Sequence, residues 1–285
     1  MPSYLERDGF LQEAQFGSRI CSSQSLKAMT EKQKGEVYDL IKDSLDKAEK
    51  VWGEVGKELQ NRAMAFANEA LLEASQRAVP TTIPGHEFLE DGKPIVDEFV
   101  SLVLDMRDSS DHLNCAIAGT KADRLERVFY ETAAILPACS KVISDESGGV
   151  TEYLGDGLLA FFQVKQDEKA AACYRAHDAA AGCMEAVYDF ANPILKERYN
   201  LPKVDIGIGM SISKAVLTIS GQANFVKPVA FGKCVYHATK LSKGRGEIIV
   251  DEALHLTWPK SDTGRLQFFA RTMGSVKGYL LQEKK

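Results

Sequence analysis

Two short apolar runs flank the tripeptide Gly155-Asp156-Gly157, an arrangement that predicts a β-hairpin with the aspartate at its tip. A third apolar run, residues 99–104, comes earlier and is rich in residues that favour strands, so we expect a buried strand that ends at Asp105. Between this strand and the hairpin, Thr120 and Asp123 match a capping box, which predicts the start of a helix with Pro137 near its end. The middle of the chain is therefore expected to run strand, helix, hairpin.

The rest of the chain continues this alternation of strands and helices. We expect an Ala-rich helix over 167–199, a pair of strands within 204–220, a strand at 226–231 that leads through Gly232 into a helix at 233–243, and strands at 248–250, 265–271 and 276–282. The order βαββα followed by ββαβ favours an α+β architecture, in which helices cover a central sheet.

The first third of the chain has a different composition. Residues 24–79 are rich in Ala, Glu, Lys, Leu and Gln, which predicts helix. Apolar residues recur there at alternating spacings of four and three, which is typical of a coiled-coil seam: Ile41, Leu45, Ala48, Trp52, Val55 and Leu59. Two interpretations stay open, a helix that packs on its own domain and a helix that serves dimerisation or contacts between domains. A Pro- and Gly-rich stretch, 80–94, predicts a linker, so we divide the chain into a helical segment with linker, 1–95, and a second domain, 96–285.

Charge and cysteine content exclude several classes of function. The 285 residues carry 35 Lys and Arg against 40 Asp and Glu, a formal net charge of -5, which argues against a protein that binds the nucleic-acid backbone. No apolar run approaches the roughly 18–20 residues that a membrane span needs, and the charged N-terminus lacks a signal-peptide core, so we expect a cytoplasmic protein without a membrane partner. Six scattered cysteines without a CxxC pair predict reduced, mostly buried thiols.

Asp105 and Asp156 are the candidate chemical groups. The end of a central strand and the tip of a neighbouring hairpin can lie close together, and two carboxylates there would bind a hard divalent cation through oxygen. Taken singly, Asp105 could instead cap a helix, and Asp156 could be an ordinary turn residue.

Four segments carry a resemblance to a known family: FVSLVLDMRDSS, TEYLGDGLLAFF, DIGIGMSISKAVLTISG and VAFGKCVYHATKLSKG. They occur in the order and rough spacing of the class III nucleotidyl cyclase catalytic domain, and residues 96–282 resemble that domain. The resemblance implies a ferredoxin-like βαββαβ core within an extended mixed sheet flanked by helices, here preceded by N-terminal helices. It also implies that Asp105 and Asp156 bind two divalent metal ions, Mn²⁺ or Mg²⁺, with the backbone carbonyl of Met106 as a further ligand. The implied reaction is attack of the ribose 3′-hydroxyl on the α-phosphorus, which yields a 3′,5′-cyclic nucleotide and pyrophosphate.

The resemblance also implies contacts to the phosphates. Backbone N–H groups of the Ser109-Ser110 turn would bind phosphate oxygens at a helix start. A basic residue near the end of the domain would balance the triphosphate, and Arg271 and Lys277 are the candidates, with a solvated surface charge as the alternative for either.

One helix departs from the family's pattern at its two catalytic positions. The family carries Asn there and, four residues on, Arg, one helical turn apart and facing the ribose and the α-phosphate. In this sequence the two positions hold Tyr236 and Lys240. Lys240 keeps the positive charge but loses the planar fork of arginine. Tyr236 is larger than asparagine and would narrow the nucleotide pocket, or stack on a base or ribose.

The positions that read the base also depart from the family's pattern. The first holds Glu152, as in guanylate cyclases, and the second aligns with Val229, which can neither donate nor accept a hydrogen bond. Arg107 is a further candidate contact to base or phosphate, with a surface salt bridge as the alternative. A narrowed pocket without adenine-reading groups favours a smaller base, and the pattern resembles the bacterial pyrimidine cyclases of the Pycsar anti-phage systems.

This closer resemblance implies a substrate and partners. We expect UTP, ahead of CTP, as the substrate, and a cyclic UMP or cyclic CMP product that a separate cyclic-nucleotide effector reads. We also expect a homodimer with two interfacial sites, because one catalytic domain carries both the metal-binding and the base-reading residues. Two alternatives remain: a guanylate or adenylate cyclase, and a non-catalytic nucleotide-binding regulator.

Overall fold

The computed structural model describes residues 29–59, 78–90, 93–115, 117–222, 225–259 and 264–284. Its strands are β1 (Ala78–Ile83), β2 (His86–Glu90), β3 (Ile95–Met106), β4 (Gly149–Tyr153), β5 (Gly157–Gln163), β6 (Ile206–Gln222), β7 (Phe225–Gly232), β8 (Ile248–Asp251), β9 (Leu266–Met273) and β10 (Val276–Glu283). Its α-helices are α1 (Glu31–Leu59), α2 (Ser109–Asn114), α3 (Arg124–Asp145), α4 (Lys169–Glu185), α5 (Asn192–Tyr199), α6 (Lys233–Leu241) and α7 (Glu252–Thr257). A π-helical segment, Ala186–Ala191, joins α4 to α5, so the helix expected over 167–199 is one stretch with a widened turn.

Eight strands form one mixed sheet. Its main path runs β4-β5-β3-β6-β8-β10-β9, and β7 pairs with β6 off this path. β3 is antiparallel to both β5 and β6, whereas β6 and β8 are parallel. The expectation of two strands within 204–220 is wrong, because β6 is one long strand that pairs with β3 over its first part and with β7 over its last part. The α+β architecture, with helices flanking a large mixed sheet, is confirmed.

Helix α3 begins and ends later than its sequence signals predict. Its N-cap is Asp123, which forms a capping box with Glu126, so the box lies three residues beyond the expected pair that starts at Thr120. Pro137 lies inside the helix rather than at its end. The helix continues for about two more turns because the residues after the proline face the core.

Helix α1 packs on the helices of the second domain. Val37, Ile41 and Leu45 are fully buried in the core cluster shared with α3 and α4. Arg198 of α5 adds an ion pair to Asp46 at 2.6 Å. By the division at residue 95, this packing is a contact between the first segment and the second domain, and a role of α1 in dimerisation stays a prediction. The side chains of Trp52, Val55 and Leu59 lie outside the described part of the chain, as do residues 24–28 and 60–77 of the expected helix. The helix prediction is wrong for Ala78 and Val79, which begin strand β1.

The stretch expected to be a linker forms a β-hairpin instead. β1 and β2 pair with each other, and the hairpin buries Ile83 and Leu89 against Phe99 of β3. The linker prediction for 80–94 is therefore wrong. The division of the chain at residue 95 stays a prediction, and the described part of the first segment packs on the second.

The sheet has two differently covered faces. α3 and α4 cover one face, α1 packs on α3, and all three contribute to the larger core cluster. The β1–β2 hairpin and α6 cover the other, where Phe99 and Val103 of β3 lie. Because residues two apart on a strand share a face, Asp105 points to the same side as α6. Among the described residues, no helix is both long and apolar enough to cross a bilayer.

The cysteines of the described residues carry free thiols. Cys115 is exposed, and the other four are buried, namely Cys139, Cys173, Cys183 and Cys234. The remaining cysteine, Cys21, lies outside the residues that the structure describes.

Candidate active site

The two candidate carboxylates come from neighbouring backbone positions. Asp105 is the penultimate residue of β3 and pairs with Gly157 of β5. Asp156 directly precedes Gly157, and its carbonyl oxygen accepts a hydrogen bond from the backbone N–H of Met106 at 3.1 Å. The structure thus brings together the two aspartates that the sequence singles out.

The glycines around Asp156 allow this close approach. A Cβ on Gly157 would overlap the carbonyl oxygen of Leu104, so a residue with a side chain would push β5 away from β3. Gly155 has a φ of 85°, a backbone conformation that residues with side chains rarely adopt. The position of Asp156 beside the end of β3 therefore depends on glycine at both neighbouring positions.

Arg107 occupies the space beside Asp105. Its guanidinium forms an ion pair with the Asp105 carboxylate, and its side chain is only 15% exposed. Nη1 donates to the carbonyl of Lys243 at 3.3 Å, whereas the buried Nε has no hydrogen-bond partner among the described residues. Burial lowers the pKa of Arg107. The negative charges of Asp108 and Asp156 raise it, but burial has the larger effect, so the net pKa lies below the ordinary value.

Asp156 is held by the start of helix α2. The hydroxyl of Ser109 donates to the Asp156 carboxylate. Ser109 and Ser110 are the first residues of α2, at the turn where the sequence predicts a helix start. Both line a cavity of about 480 Å³ that also contacts Asp156 and is bordered on its other side by apolar residues of α3, including Phe129. The expected phosphate-binding N–H groups therefore lie next to one of the two carboxylates.

A second arginine fixes the residue before α2. Asp108 has a φ of 60° and forms an ion pair with Arg245, which also donates to Asp205 at 2.7 Å. The hydrogen bond from Arg245 lowers the pKa of Asp108. The backbone N–H of Arg107 donates to the carbonyl of Asp205 at 2.8 Å. The main chain between β3 and α2 is thus tied to the loop before β6.

A buried charged cluster that the sequence did not lead us to predict anchors α2 to α3. Glu131 is fully buried and accepts from Arg127 Nε at 2.7 Å, and it pairs with His112 Nδ1 of α2 at 2.8 Å. The spacing of Arg127 and Glu131, four residues apart on a helix, is a signal that could have indicated the pair. The cluster positions the helix that carries Ser109.

The donor set of the site suits a divalent ion that arrives with phosphate. Mg²⁺ in phosphate-handling enzymes is bound through one or two carboxylates together with phosphate oxygens. Asp105 and Asp156 provide two carboxylates, and the carbonyl of Met106 follows Asp105 directly. Among the described residues there is no group of three or more His, Cys, Asp or Glu side chains that could hold an ion by itself. Two carboxylates suit a divalent ion that takes its remaining ligands from phosphate and water.

Tyr236 and Lys240 lie one turn apart on α6. Lys240 Nζ is 5.5 Å from the centre of the Tyr236 ring, and Tyr236 is 53% exposed. The next residue, His237, turns away and pairs with the buried carboxylate of Asp251 at 2.9 Å. The hydroxyl of Ser211 donates to the same carboxylate at 2.7 Å. α6 is thereby fixed on the sheet while Tyr236 and Lys240 face outward.

The two base-reading candidates lie on separate strands. Glu152 is exposed on β4, next to a register shift in its pairing with β5. Val229 is half-buried on β7 and pairs with Thr218 of β6. Thr218 lies eleven residues beyond Gly207, the β6 residue that pairs with Asp105. Val229 and Asp105 are therefore at opposite ends of β6 in one chain.

The two residues that we expect to balance the charge of the triphosphate lie toward the β9 edge of the sheet. Arg271 on β9 is paired with Glu247 at 2.8 Å, and Lys277 is on β10. β10 is the third strand from β3 in the sheet order, about 14 Å away at the usual strand spacing. The structure does not bring Arg271 or Lys277 to Asp105 within one chain.

Comparison with known proteins yields structural matches. No protein-family model and no curated protein sequence matches the chain. The guanylyl cyclase Cya2 matches with a TM-score of 0.54 and 16% identity, over 67% of this chain and 94% of that chain. The adenylyl cyclase CyaB from P. aeruginosa matches with a TM-score of 0.54 and 13% identity, over 68% and 97%. The guanylate cyclase domain of RhGC from Catenaria anguillulae, solved with GTP, matches with a TM-score of 0.52 and 13% identity, over 68% and 100%. At identities this low the matches establish the fold, and the chain has the α+β fold of class III nucleotidyl cyclase catalytic domains.

Proposed function

We propose that the chain is a nucleotidyl cyclase of the class III type that converts a pyrimidine nucleoside triphosphate, UTP ahead of CTP, to a 3′,5′-cyclic nucleotide and pyrophosphate. The observation that carries this proposal is the placement of Asp105 and Asp156 at adjacent backbone positions, beside the start of α2. Two carboxylates next to backbone N–H groups at a helix start suit a metal–triphosphate substrate.

Each residue of the site has a chemical task in this reaction. Bound divalent ions would activate the ribose 3′-hydroxyl and offset charge on the phosphates. Asp105 and Asp156 would hold these ions, and Ser109 orients Asp156 through its hydroxyl. Lys240 would offset charge that develops on the α-phosphate. Tyr236 would limit the size of the base.

A homodimer is part of the proposal. Val229 and Asp105 are at opposite ends of β6, so one chain cannot place both on one nucleotide, whereas two chains in head-to-tail contact can. Phe231, two residues after Val229, is 60% exposed, and it pairs across the strands with Val216, which is also exposed. Exposed apolar groups next to candidate site residues fit a surface that a second copy covers.

The pyrimidine preference rests on two residues. Val229 offers no hydrogen bond to a base, and the exposed Tyr236 ring takes up space where a smaller side chain would leave room for a purine. A role in bacterial anti-phage defence, with a separate effector that reads the product, rests on the resemblance to Pycsar cyclases. Glu152 favours the second candidate function, guanylate cyclase, because an exposed carboxylate can accept hydrogen bonds from guanine.

The test is a product assay on the purified protein. The protein is incubated with Mn²⁺ and each ribonucleoside triphosphate separately, and the products are identified by chromatography. We expect cyclic UMP or cyclic CMP, no product from Asp156→Asn, and unchanged product from the matched variant Asp39→Asn, since Asp39 is exposed on α1. Cyclic GMP as the main product would identify a guanylate cyclase. Metal-dependent nucleotide binding without any product would indicate a regulator.

A further inference from the structure

We propose that Arg107 is an internal counter-ion of the carboxylate pair: its guanidinium pairs with Asp105 and leaves it when a divalent ion binds. The inference rests on the proposed function, because it concerns the carboxylates to which that function assigns metal ions. It goes beyond that function by proposing that Arg107 limits the binding of metal ions to these carboxylates.

The geometry around Arg107 carries the proposal. The guanidinium is in direct contact with the Asp105 carboxylate, and the charge of Asp156 acts on it as well. The Asp156 carboxylate is bound in turn by the hydroxyl of Ser109. Both candidate metal ligands therefore already have a partner from the chain itself. A cation cannot bind the paired oxygen of Asp105 until the guanidinium moves.

Apart from Asp105, few groups form hydrogen bonds with the guanidinium of Arg107. The side chain is largely buried, yet its Nε has no hydrogen-bond partner among the described residues, and the contact of Nη1 with the Lys243 carbonyl is long at 3.3 Å. A buried donor without a partner costs free energy, and so does the desolvation of the charge. A doubly charged ion with water and phosphate ligands can therefore displace the guanidinium.

The displaced side chain can move without moving the main chain. The backbone N–H of Arg107 stays bonded to the carbonyl of Asp205, so a change of rotamer is sufficient. The neighbouring Arg245 is held by both Asp108 and Asp205 and does not contact Asp105. A guanidinium binds phosphate oxygens in a two-pronged fashion, so a triphosphate offers Arg107 a new partner. Metal binding is then coupled to nucleotide binding.

The test measures Mn²⁺ binding to the full-length, nucleotide-free protein. Binding is followed by electron paramagnetic resonance of free Mn²⁺ and by calorimetry, in wild type, Arg107→Met and Arg245→Met. Methionine removes the charge of Arg107 while keeping an unbranched side chain. Arg245→Met removes the same charge from a neighbouring arginine, so it controls for the general change in electrostatic field. We expect Arg107→Met to bind Mn²⁺ at least tenfold more tightly than both wild type and Arg245→Met.

Two further variants keep the outcome decisive. Adding Asp105→Asn to Arg107→Met should remove the gain, and Arg107→Lys, which keeps a charge, should bind as wild type does. If circular dichroism shows that Arg107→Met is unfolded, Arg107→Gln takes its place in the comparison. Equal Mn²⁺ affinity in the Arg107 and Arg245 variants overturns the proposal. Because no nucleotide is present, this result is independent of the product assay, in which the cyclase proposal fails or succeeds separately.

Discussion

Lys240 Nζ lies 5.5 Å from the centre of the Tyr236 ring, one turn back along α6. At this distance the ammonium group and the ring attract each other, with about 0.5–1 kcal/mol for an exposed pair. The attraction therefore favours one arrangement of the two side chains on the outward face of the helix. In the proposed reaction this arrangement places a base-limiting ring beside a phosphate-binding charge.

The first prediction concerns the choice of base. Tyr236→Asn should raise the share of cyclic purine products in a competition among the four nucleoside triphosphates, because the pocket loses the bulk of the ring. Tyr236→Phe is the matched control, since it keeps the ring and should keep the wild-type preference. Unchanged selectivity in Tyr236→Asn would contradict pocket narrowing and would shift the assignment to Glu152 and Arg107.

The second prediction concerns Lys240. Lys240→Met should lower kcat by about 10²-fold, which is the usual loss when one charge-stabilising group of a transition state is removed. Lys240→Arg should retain most of the activity because it keeps the positive charge. Steady-state kinetics with the preferred triphosphate measure both variants. A normal kcat in Lys240→Met would place the charge away from the reacting phosphate.

The local signals of the sequence predict much of the site. The hairpin around Asp156, the strand that ends at Asp105 and the strand–helix junction at Gly232 all lie where the sequence predicts them. Each depends on a few neighbouring residues: a continuous apolar run, a turn with glycine, or a helix start. Information of this kind is contained within short windows of sequence.

The remaining features depend on contacts between distant residues. The β1–β2 hairpin looks like a linker because its prolines and glycines are turn signals, whereas its stability comes from burying Ile83 and Leu89 against β3. β6 continues through residues expected to form a turn because two different strands pair with its two ends.

The third prediction concerns the buried cluster that anchors α2. Glu131→Ala should lower the free energy of unfolding by about 3–5 kcal/mol, because Arg127 would be left with a buried charge that lacks its partner. Glu131→Gln should cost less, since it keeps the shape and can still accept a hydrogen bond. Urea denaturation at pH 7 measures both variants. Equal stability of Glu131→Ala and wild type would mean that the cluster does not hold α2 and α3 together.

The fourth prediction concerns acid stability. Burial raises the pKa of Asp97, but hydrogen bonds from Gln163, His86 and the backbone N–H of Glu98 outweigh it, so the net pKa lies below the ordinary value of 3.8. A carboxyl group with a lowered folded pKa stabilises the fold above its unfolded pKa and loses that contribution as the pH falls through the folded pKa. Asp97→Asn should therefore be less stable than wild type at pH 7, and the difference should shrink below about pH 4.

Urea denaturation between pH 7 and pH 3 checks this expectation. Asp43→Asn, an exposed change on α1, is the matched control and should follow the wild-type curve. A constant difference between Asp97→Asn and wild type across this range would show that ionisation of Asp97 does not support the attachment of the hairpin.

The last prediction concerns the contact between α6 and the sheet. A Cβ on Gly209 of β6 would overlap the carbonyl oxygen of Ala238, so Gly209→Ala must push α6 away from β6. We expect a loss of stability of about 1–3 kcal/mol, which is the usual cost of overpacking. Cyclase activity should also fall, because α6 carries Tyr236 and Lys240. Gly35→Ala on α1 is the control in which the added methyl group meets no neighbouring atom. Alanine should stabilise that helix by about 1 kcal/mol. Thermal unfolding and product assays measure both variants, and a stable, fully active Gly209→Ala would show that the position of α6 against β6 does not set the geometry of the site.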